Sequence, residues 1–377
     1  MSRPESAAAA RGGRDDAVRR ADLAVVGGGP VGLVTALYAL AVGCSVTVVD
    51  PGPVPRDKAC GEGLMPAGVA ALAGLGIDPD GCALRGITYL DGRHRVSADF
   101  PGAPGRGVRR TVLHAALAEA AEERGACRIR SSVVALAQDD HGVQLTLAKG
   151  GILRAPYVIA ADGLHSPTRR RLGLEGSRPA VPGRVRRARR YGLVRHVRIA
   201  PWTDHVEVFW GREAEAYVTP VRPDLVAVAF LTSTRAPWDV LLGALPAVAE
   251  RVRGAPREGR DLGAGPFGVA TRSRVAGRVL LAGDASGYVD ALTGEGLSTG
   301  FLQAGAAVAA VLAGDPSSYE QSWATIMRTP NRLTTALVRA AQHPGSRRLV
   351  VPAAAAMPRV FETLVGLAAG DPAGRRR

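Results

Sequence analysis

The turn Gly27-Gly28-Gly29-Pro30-Val31-Gly32 constrains this chain more than any other segment. It follows a short apolar run, Leu23–Val26, and opens a helical pattern over Pro30–Val42 that leads to a second apolar run, Ser45–Val49, closed by Asp50. Strands of a parallel sheet are covered on both faces and read as unbroken apolar runs, so the stretch is expected to fold as a buried βαβ unit. Within the GxGxxG pattern, Gly27 permits the tight turn, Gly29 lets a pyrophosphate approach the backbone, and Gly32 lets helix pack on strand. The helix N-terminus at Pro30 adds free N–H groups and a partial positive charge for phosphates. Asp50, 18 residues after Gly32, is placed to accept a hydrogen bond from ribose hydroxyls. The stretch Leu23–Val49 carries no charge, but a triple glycine and a proline near its start exclude a membrane span.

Composition narrows the class. The net charge of +14 comes from 48 basic and 34 acidic residues, yet Lys58 and Lys149 are the only lysines. With aromatics at 5%, the basic residues lack the interleaved stacking platform that nucleic-acid binding needs, and no such partner is expected. Cys44, Cys60, Cys82 and Cys127 form no CxxC pair and no metal-ligand spacing, which points to a reducing, cytoplasmic setting and no metal.

Residues 1–20 read as a disordered leader. Helical patterns are expected around Ala67–Leu75 and from Arg110 to a C-cap at Gly125, and a hairpin over Val133–Ala137 and Val143–Leu147. From Tyr191 to Thr232 the pattern alternates, with Val206, Val208 and Trp210 as one set and Val226, Val228 and Phe230 as another; this predicts antiparallel strands with one wet face. A tail from Ser318 reads as helices broken at Pro330, Pro344, Pro352 and Pro358.

Two further apolar strands end in glycine–aspartate turns. One is Ala161-Asp162-Gly163-Leu164-His165-Ser166, with Arg169; the other is Leu281-Ala282-Gly283-Asp284-Ala285, followed by Leu292-Thr293-Gly294-Glu295-Gly296-Leu297. With these three motifs in order, the chain resembles the FAD-dependent oxidoreductase superfamily that contains aromatic-hydroxylase-type monooxygenases and geranylgeranyl reductases. The resemblance implies an α/β fold: a Rossmann-like FAD-binding domain of the glutathione-reductase type, an inserted antiparallel β-sheet substrate domain, and C-terminal helices. Residues 21–83, 108–175 and 266–315 are then expected to form the discontinuous FAD domain, 84–107 and 176–265 the substrate domain, and 316–377 the helical tail. The cofactor implied is non-covalent FAD. Asp284, in the turn with Gly283, should bond its ribityl chain. Gly294, Gly296 and Leu297 should set a helix N-terminus against the pyrimidine side of the flavin, which is anionic when reduced. Asp162 and Gly163 should shape the pocket, and Arg110 with Leu113 matches an RxxL segment whose arginine reaches the cofactor; the other reading of Arg110 is a helix-surface arginine.

The segment Arg56-Asp57-Lys58-Ala59-Cys60-Gly61-Glu62-Gly63-Leu64 resembles the (R)xKxCG segment of the geranylgeranyl-reductase-like subgroup, in which the cysteine lies near the flavin. On one reading Lys58, flanking Cys60, lowers the thiol pKa; on the other Cys60 is a small packing residue, with Gly61 and Gly63 giving access to the ring. Glu215-Ala216-Tyr217-Val218-Thr219-Pro220 stands where that subgroup carries a YxWxFP-like lipid-contact segment, with Tyr217 and Thr219 at the tryptophan and phenylalanine positions. This departure argues against a long isoprenoid. No WxWxIP segment is present, which sets halogenation aside.

Beyond Gly27–Gly32, no GxGxxG stands between a buried apolar run and a helical pattern, so NAD(P)H is expected to bind transiently over the same pocket, or a partner flavin reductase to supply electrons. Tyr217, His205 and His196 lie in the strands that should floor the pocket; a histidine there is more often structural than catalytic. The run Arg184, Arg186, Arg187, Arg189 and Arg190 reads as a solvated linker or a contact for an acidic partner. The leading expectation is an NAD(P)H-driven monooxygenase acting on a small apolar or aromatic metabolite. The alternatives are a carbon–carbon double-bond reductase and a non-catalytic flavoprotein that shields an unstable intermediate.

Overall fold

The computed structural model describes residues 18–176 and 189–370. The apolar runs of the sequence become a six-stranded sheet in the order Val275–Ala276, Val279–Leu281, Tyr157–Ala160, Leu23–Val26, Val46–Val49, Cys127–Ile129. All neighbours are parallel except the first pair. Leu23–Val26 and Val46–Val49 are buried along their whole length, because helices cover one face of the sheet and the strands Val133–Asp139, Gly142–Leu147 and Ile152–Ala155 cover the other, leaving neither wet. Pro30–Ala41 packs between Gly296–Leu312 and Arg110–Glu123, and the glycine turns at the strand ends open toward one another.

The alternating segments form a seven-stranded sheet in the order Arg257–Ala264, Tyr191–Arg198, Leu225–Thr232, Ala214–Arg222, His205–Trp210, Gly86–Leu90, Arg95–Asp99. Its pairs are antiparallel except that of His205–Trp210 with Gly86–Leu90. The expectation of a wet face fails here, for a specific reason. Val206, Val208 and Trp210 pack on the cavity side, whereas Val226, Val228 and Phe230 point the other way, beneath Trp238–Gly243 and Pro246–Arg251. The rings of Trp238 and Phe230 meet at 4.7 Å, so both faces are dry.

Three more readings are corrected. Val18–Arg20, assigned to the leader, is a strand paired in parallel with Ile152–Ala155; residues 1–17 lie outside the described residues. The strand joins the expected hairpin, Val133–Asp139 with Gly142–Leu147, in a four-stranded sheet. Pro330 sits inside an unbroken helix, Ser318–Gln342, and Pro352 inside Val350–Ala356; the breaks fall at Pro344 and Pro358, which begin helices. Among the described residues no single helix is long and apolar enough to cross a membrane.

The tail does not trail away. Val338, Ala341, Val351, Phe361 and Val365 pack into the core on the cavity side of the large sheet, and the Phe361 ring meets that of Tyr89 at 4.9 Å, tilted by 58°. The tail helices therefore roof the cavity.

Candidate active site

At Gly27 the backbone takes φ +105°, and a Cβ there would lie 2.5 Å from the Ala161 carbonyl oxygen. A Cβ on Gly32 would lie 1.8 Å from the Gly27 carbonyl oxygen. Any side chain at either position would push the turn apart, so both glycines are required by the backbone. Gly29 and Pro30 face a cavity of about 490 Å³ that runs from the three glycine turns to the large sheet.

Asp50 closes its strand as expected, but its carboxylate is already engaged. It accepts from Gly28 N and Gly52 N, each at 2.7 Å, and from the Arg56 guanidinium. Burial works against its charge, yet these bonds win and hold its pKa below the usual range. His114, which the sequence reading overlooked, ties the same corner together. Its Nδ1 accepts from Arg56 N at 3.1 Å, so its Nε2–H donates to the Gly28 carbonyl at 2.7 Å. Its position one helical turn after Arg110 is the signal that could have revealed it.

The remaining walls of this half are charged. Arg110 lines the cavity with its Nε buried and unpartnered, and its Nη2 would be 3.9 Å from a Cβ on Gly29; this is no surface arginine. Asp162 spends Oδ2 on Thr168 N at 3.0 Å and leaves Oδ1 buried without a partner. Gly163 has φ +84°, with Lys58 Nζ 3.5 Å from its would-be Cβ. Arg169 staples the two glycine–aspartate turns, donating to Leu164 O at 2.8 Å and Ala285 O at 3.0 Å. Burial raises the pKa of Asp284, while Lys58, Arg110 and Arg169 pull it down. Gly283, Gly294, Gly296 and Leu297 complete the wall, at the start of the helix Gly296–Leu312. Glu295 is buried there, and burial pushes its carboxyl up to about 8. Unpartnered cationic and anionic groups around glycine cradles and a helix N-terminus are a fit for FAD, with Arg110, Lys58 and the helix end for its negative charge and Asp284 for hydroxyls.

The loop Arg56–Gly63 separates this half from the apolar one, and its anchor is Glu62. This residue has φ +58° and a buried side chain. It accepts from Arg109 Nη1 at 2.7 Å and Arg110 N at 2.8 Å, and bonds His196 Nε2 at 2.8 Å. Arg109 also holds Asp57 at 2.7 Å. Nothing in the sequence reading pointed to Glu62, because the partners of its carboxylate lie 47 or more residues away. Cys60 and Gly61 line the cavity. Of the two readings of Cys60, the lowered pKa fails: burial pushes the thiol up, and the opposing effect of Arg110 is smaller.

The apolar half is walled by Ile87, Val194, Val208, Leu292, Leu337 and Phe361, among others. Tyr217 and Thr219 line it, and the Tyr217 hydroxyl donates to Leu292 O at 2.6 Å. Burial raises the Tyr217 pKa well above the ordinary phenol. His205 does not reach the cavity. It sits at the sheet's outer corner, bonded to Asp204 at 2.7 Å and Asp99 at 2.9 Å, because its strand turns that position away from the pocket. His196 points down to Glu62 rather than into the cavity. Arg190 is not a solvated linker residue: it is buried, pairing with Glu215 at 2.8 Å and Asp290 at 3.0 Å. Arg184, Arg186 and Arg187 lie outside the described residues.

His114 gives a pH prediction. Burial holds its pKa below the ordinary 6.5, so between the two values the unfolded chain carries a proton that the native state lacks. Stability is therefore complete above about pH 6.5 and falls as pH drops through that window. Flavin retention between pH 7.5 and 5 should decline in the native protein and decline less steeply in His114→Asn, which keeps a donor and an acceptor without titrating. Equal slopes would assign the effect to another group.

Likenesses to one family model and to three known proteins bear on this site. A family model described as "FAD binding domain" matches residues 20–225. Menaquinone reductase of Mycobacterium tuberculosis is 31% identical over 333 residues, covering 81% of this chain and 79% of that protein. Rifampicin monooxygenase of Streptomyces venezuelae is 32% identical over 180 residues, covering 44% of this chain and 36% of that protein. Among solved structures, a flavoprotein/dehydrogenase from Cytophaga hutchinsonii superposes with a TM-score of 0.77 over 95% of this chain and 96% of its own, at 16% identity.

Proposed function

Because this chain belongs to the FAD-binding-domain family, its chemistry is FAD-dependent oxidoreduction, and we propose that it reduces a carbon–carbon double bond in an elongated, apolar substrate. The observation that carries this reading is the Cys60 thiol, which lines the cavity and is kept protonated at neutral pH by burial. Bound FAD supplies a hydride, restored by a nicotinamide nucleotide. Saturating an alkene then needs one proton on the neighbouring carbon. Tyr217 is committed to the Leu292 carbonyl, and burial raises both Tyr217 and Tyr288 well above the ordinary phenol. Cys60 Sγ is the more acidic group, and solvent returns its proton after turnover. The apolar half orients the substrate and excludes water.

The order of expectations changes with the fold in view. The sequence put monooxygenation first because the lipid-contact segment is altered, but the tail helices lengthen the apolar half with Leu333, Leu337, Phe361 and Leu364. The likeness to menaquinone reductase also spans 81% of the chain, against 44% for rifampicin monooxygenase. Monooxygenation stays as the second reading, favoured by that latter likeness and by the dry, enclosed sheet face.

The test uses menaquinone and a geranylgeranyl lipid as probes, with NADPH or dithionite, under argon and in air. The expected product forms under argon and gains two hydrogens, at least one of them deuterium when the solvent is D₂O. A strict oxygen requirement, with gain of one oxygen atom, would establish the second reading instead.

A further inference from the structure

The helices Val350–Ala356 and Pro358–Ala369 form an apolar pair bent by 110°. Their inner face is used: Phe361, Val365 and Ala368 line the cavity. The outer face is apolar too. Met357 and Val360 are each 51% exposed and Leu364 is 36% exposed, at helical spacing on one side, with Leu349 at 63% just before the pair. A soluble roof would put polar residues at these positions. Leu364 belongs to both surfaces, since it is exposed and lines the cavity. The outer ridge therefore continues into the apolar half of the site.

Two features select the occupant of this ridge. Exposed Arg348 and Arg359 flank it, and Glu362 is the lone acid in the pair, within a chain of net charge +14. The twelve residues of the longer helix reach about 18 Å, well short of the ~30 Å hydrocarbon core. A sharply bent apolar pair of this length, rimmed by arginine, suits the headgroup layer of an anionic bilayer, where basic residues meet lipid phosphates and apolar side chains enter the acyl boundary.

We propose that this bent pair docks on an anionic membrane surface and that apolar substrate enters the cavity past Leu364. The proposal rests on the apolar-substrate reading above for its purpose, though its test does not. The full chain, loaded with FAD, is floated with vesicles of phosphatidylcholine alone and of phosphatidylcholine with phosphatidylglycerol, without substrate or reductant. Binding should be at least about tenfold stronger to the anionic vesicles and should weaken as salt is raised. Met357→Asp with Val360→Asp changes two exposed side chains and should reduce binding about tenfold or more while flavin content stays normal. Arg348→Glu with Arg359→Glu should abolish the preference for anionic lipid. Absence of flotation, or undiminished flotation of the aspartate variant, would overturn the proposal. So would a lipid-free dimer that this variant converts to monomer, since the ridge would then seat a second copy. Because flotation is read without turnover, failure of the reductase assay leaves its outcome unaffected.

Discussion

Cys60→Ser is expected to slow product formation by roughly 10²–10⁴, the range for a lost general acid, while flavin reduction by NADPH changes by less than about threefold, roughly 0.65 kcal/mol in the barrier. Serine keeps the shape of the side chain, but its hydroxyl is far less acidic than a thiol, so the proton cannot be delivered at neutral pH. The two half-reactions are to be measured separately by stopped-flow absorbance and by product analysis. A loss of less than about tenfold in the product step would reduce Cys60 to a wall residue and favour oxygen chemistry at the flavin. A loss of bound flavin would mark the residue as structural.

The second large effect concerns Glu215. Its side chain is fully buried between Arg190 at 2.8 Å and Arg347 at 2.7 Å. Arg347 continues to the Gly211 carbonyl at 2.6 Å and the Ala341 carbonyl at 2.8 Å. This one carboxylate thus ties the large sheet to the helical roof. Glu215→Gln leaves the Arg347 guanidinium buried without a countercharge and Arg190 with Asp290 alone. Breaking a buried pair in this way costs about 3–5 kcal/mol. Urea unfolding should show that loss, and hydrogen exchange should speed first in Ser318–Gln342 and Pro358–Ala369, the helices that close the cavity. A change below about 1 kcal/mol, with the roof still protected, would show that this carboxylate is not what holds it.

The glycine-turn half of the site was legible as backbone because its constraints are local. Gly27 needs a backbone conformation that side chains resist, Gly32 tolerates no atom where a Cβ would stand, and buried parallel strands announce themselves as apolar runs. The corresponding turns at Asp162-Gly163 and Gly283-Asp284 follow the same logic, so their order along the chain determined the fold. The apolar half was not legible in this way. Val206 and Val226 show the same alternation in sequence but face opposite sides of one sheet, since register is set by partners far along the chain. The Cys60 thiol looked acidic beside Lys58, yet burial governs it. Arg190 looked solvated in an arginine run, and His205 looked like a pocket residue; distant carboxylates fixed both. Sequence alone determined that the chain builds a dinucleotide cradle, because backbone sterics and apolar periodicity act within a few residues. The tertiary structure decided which side chains share the cavity, which charges are buried and what roofs the site, because desolvation and long-range pairing depend on elements a hundred or more residues apart.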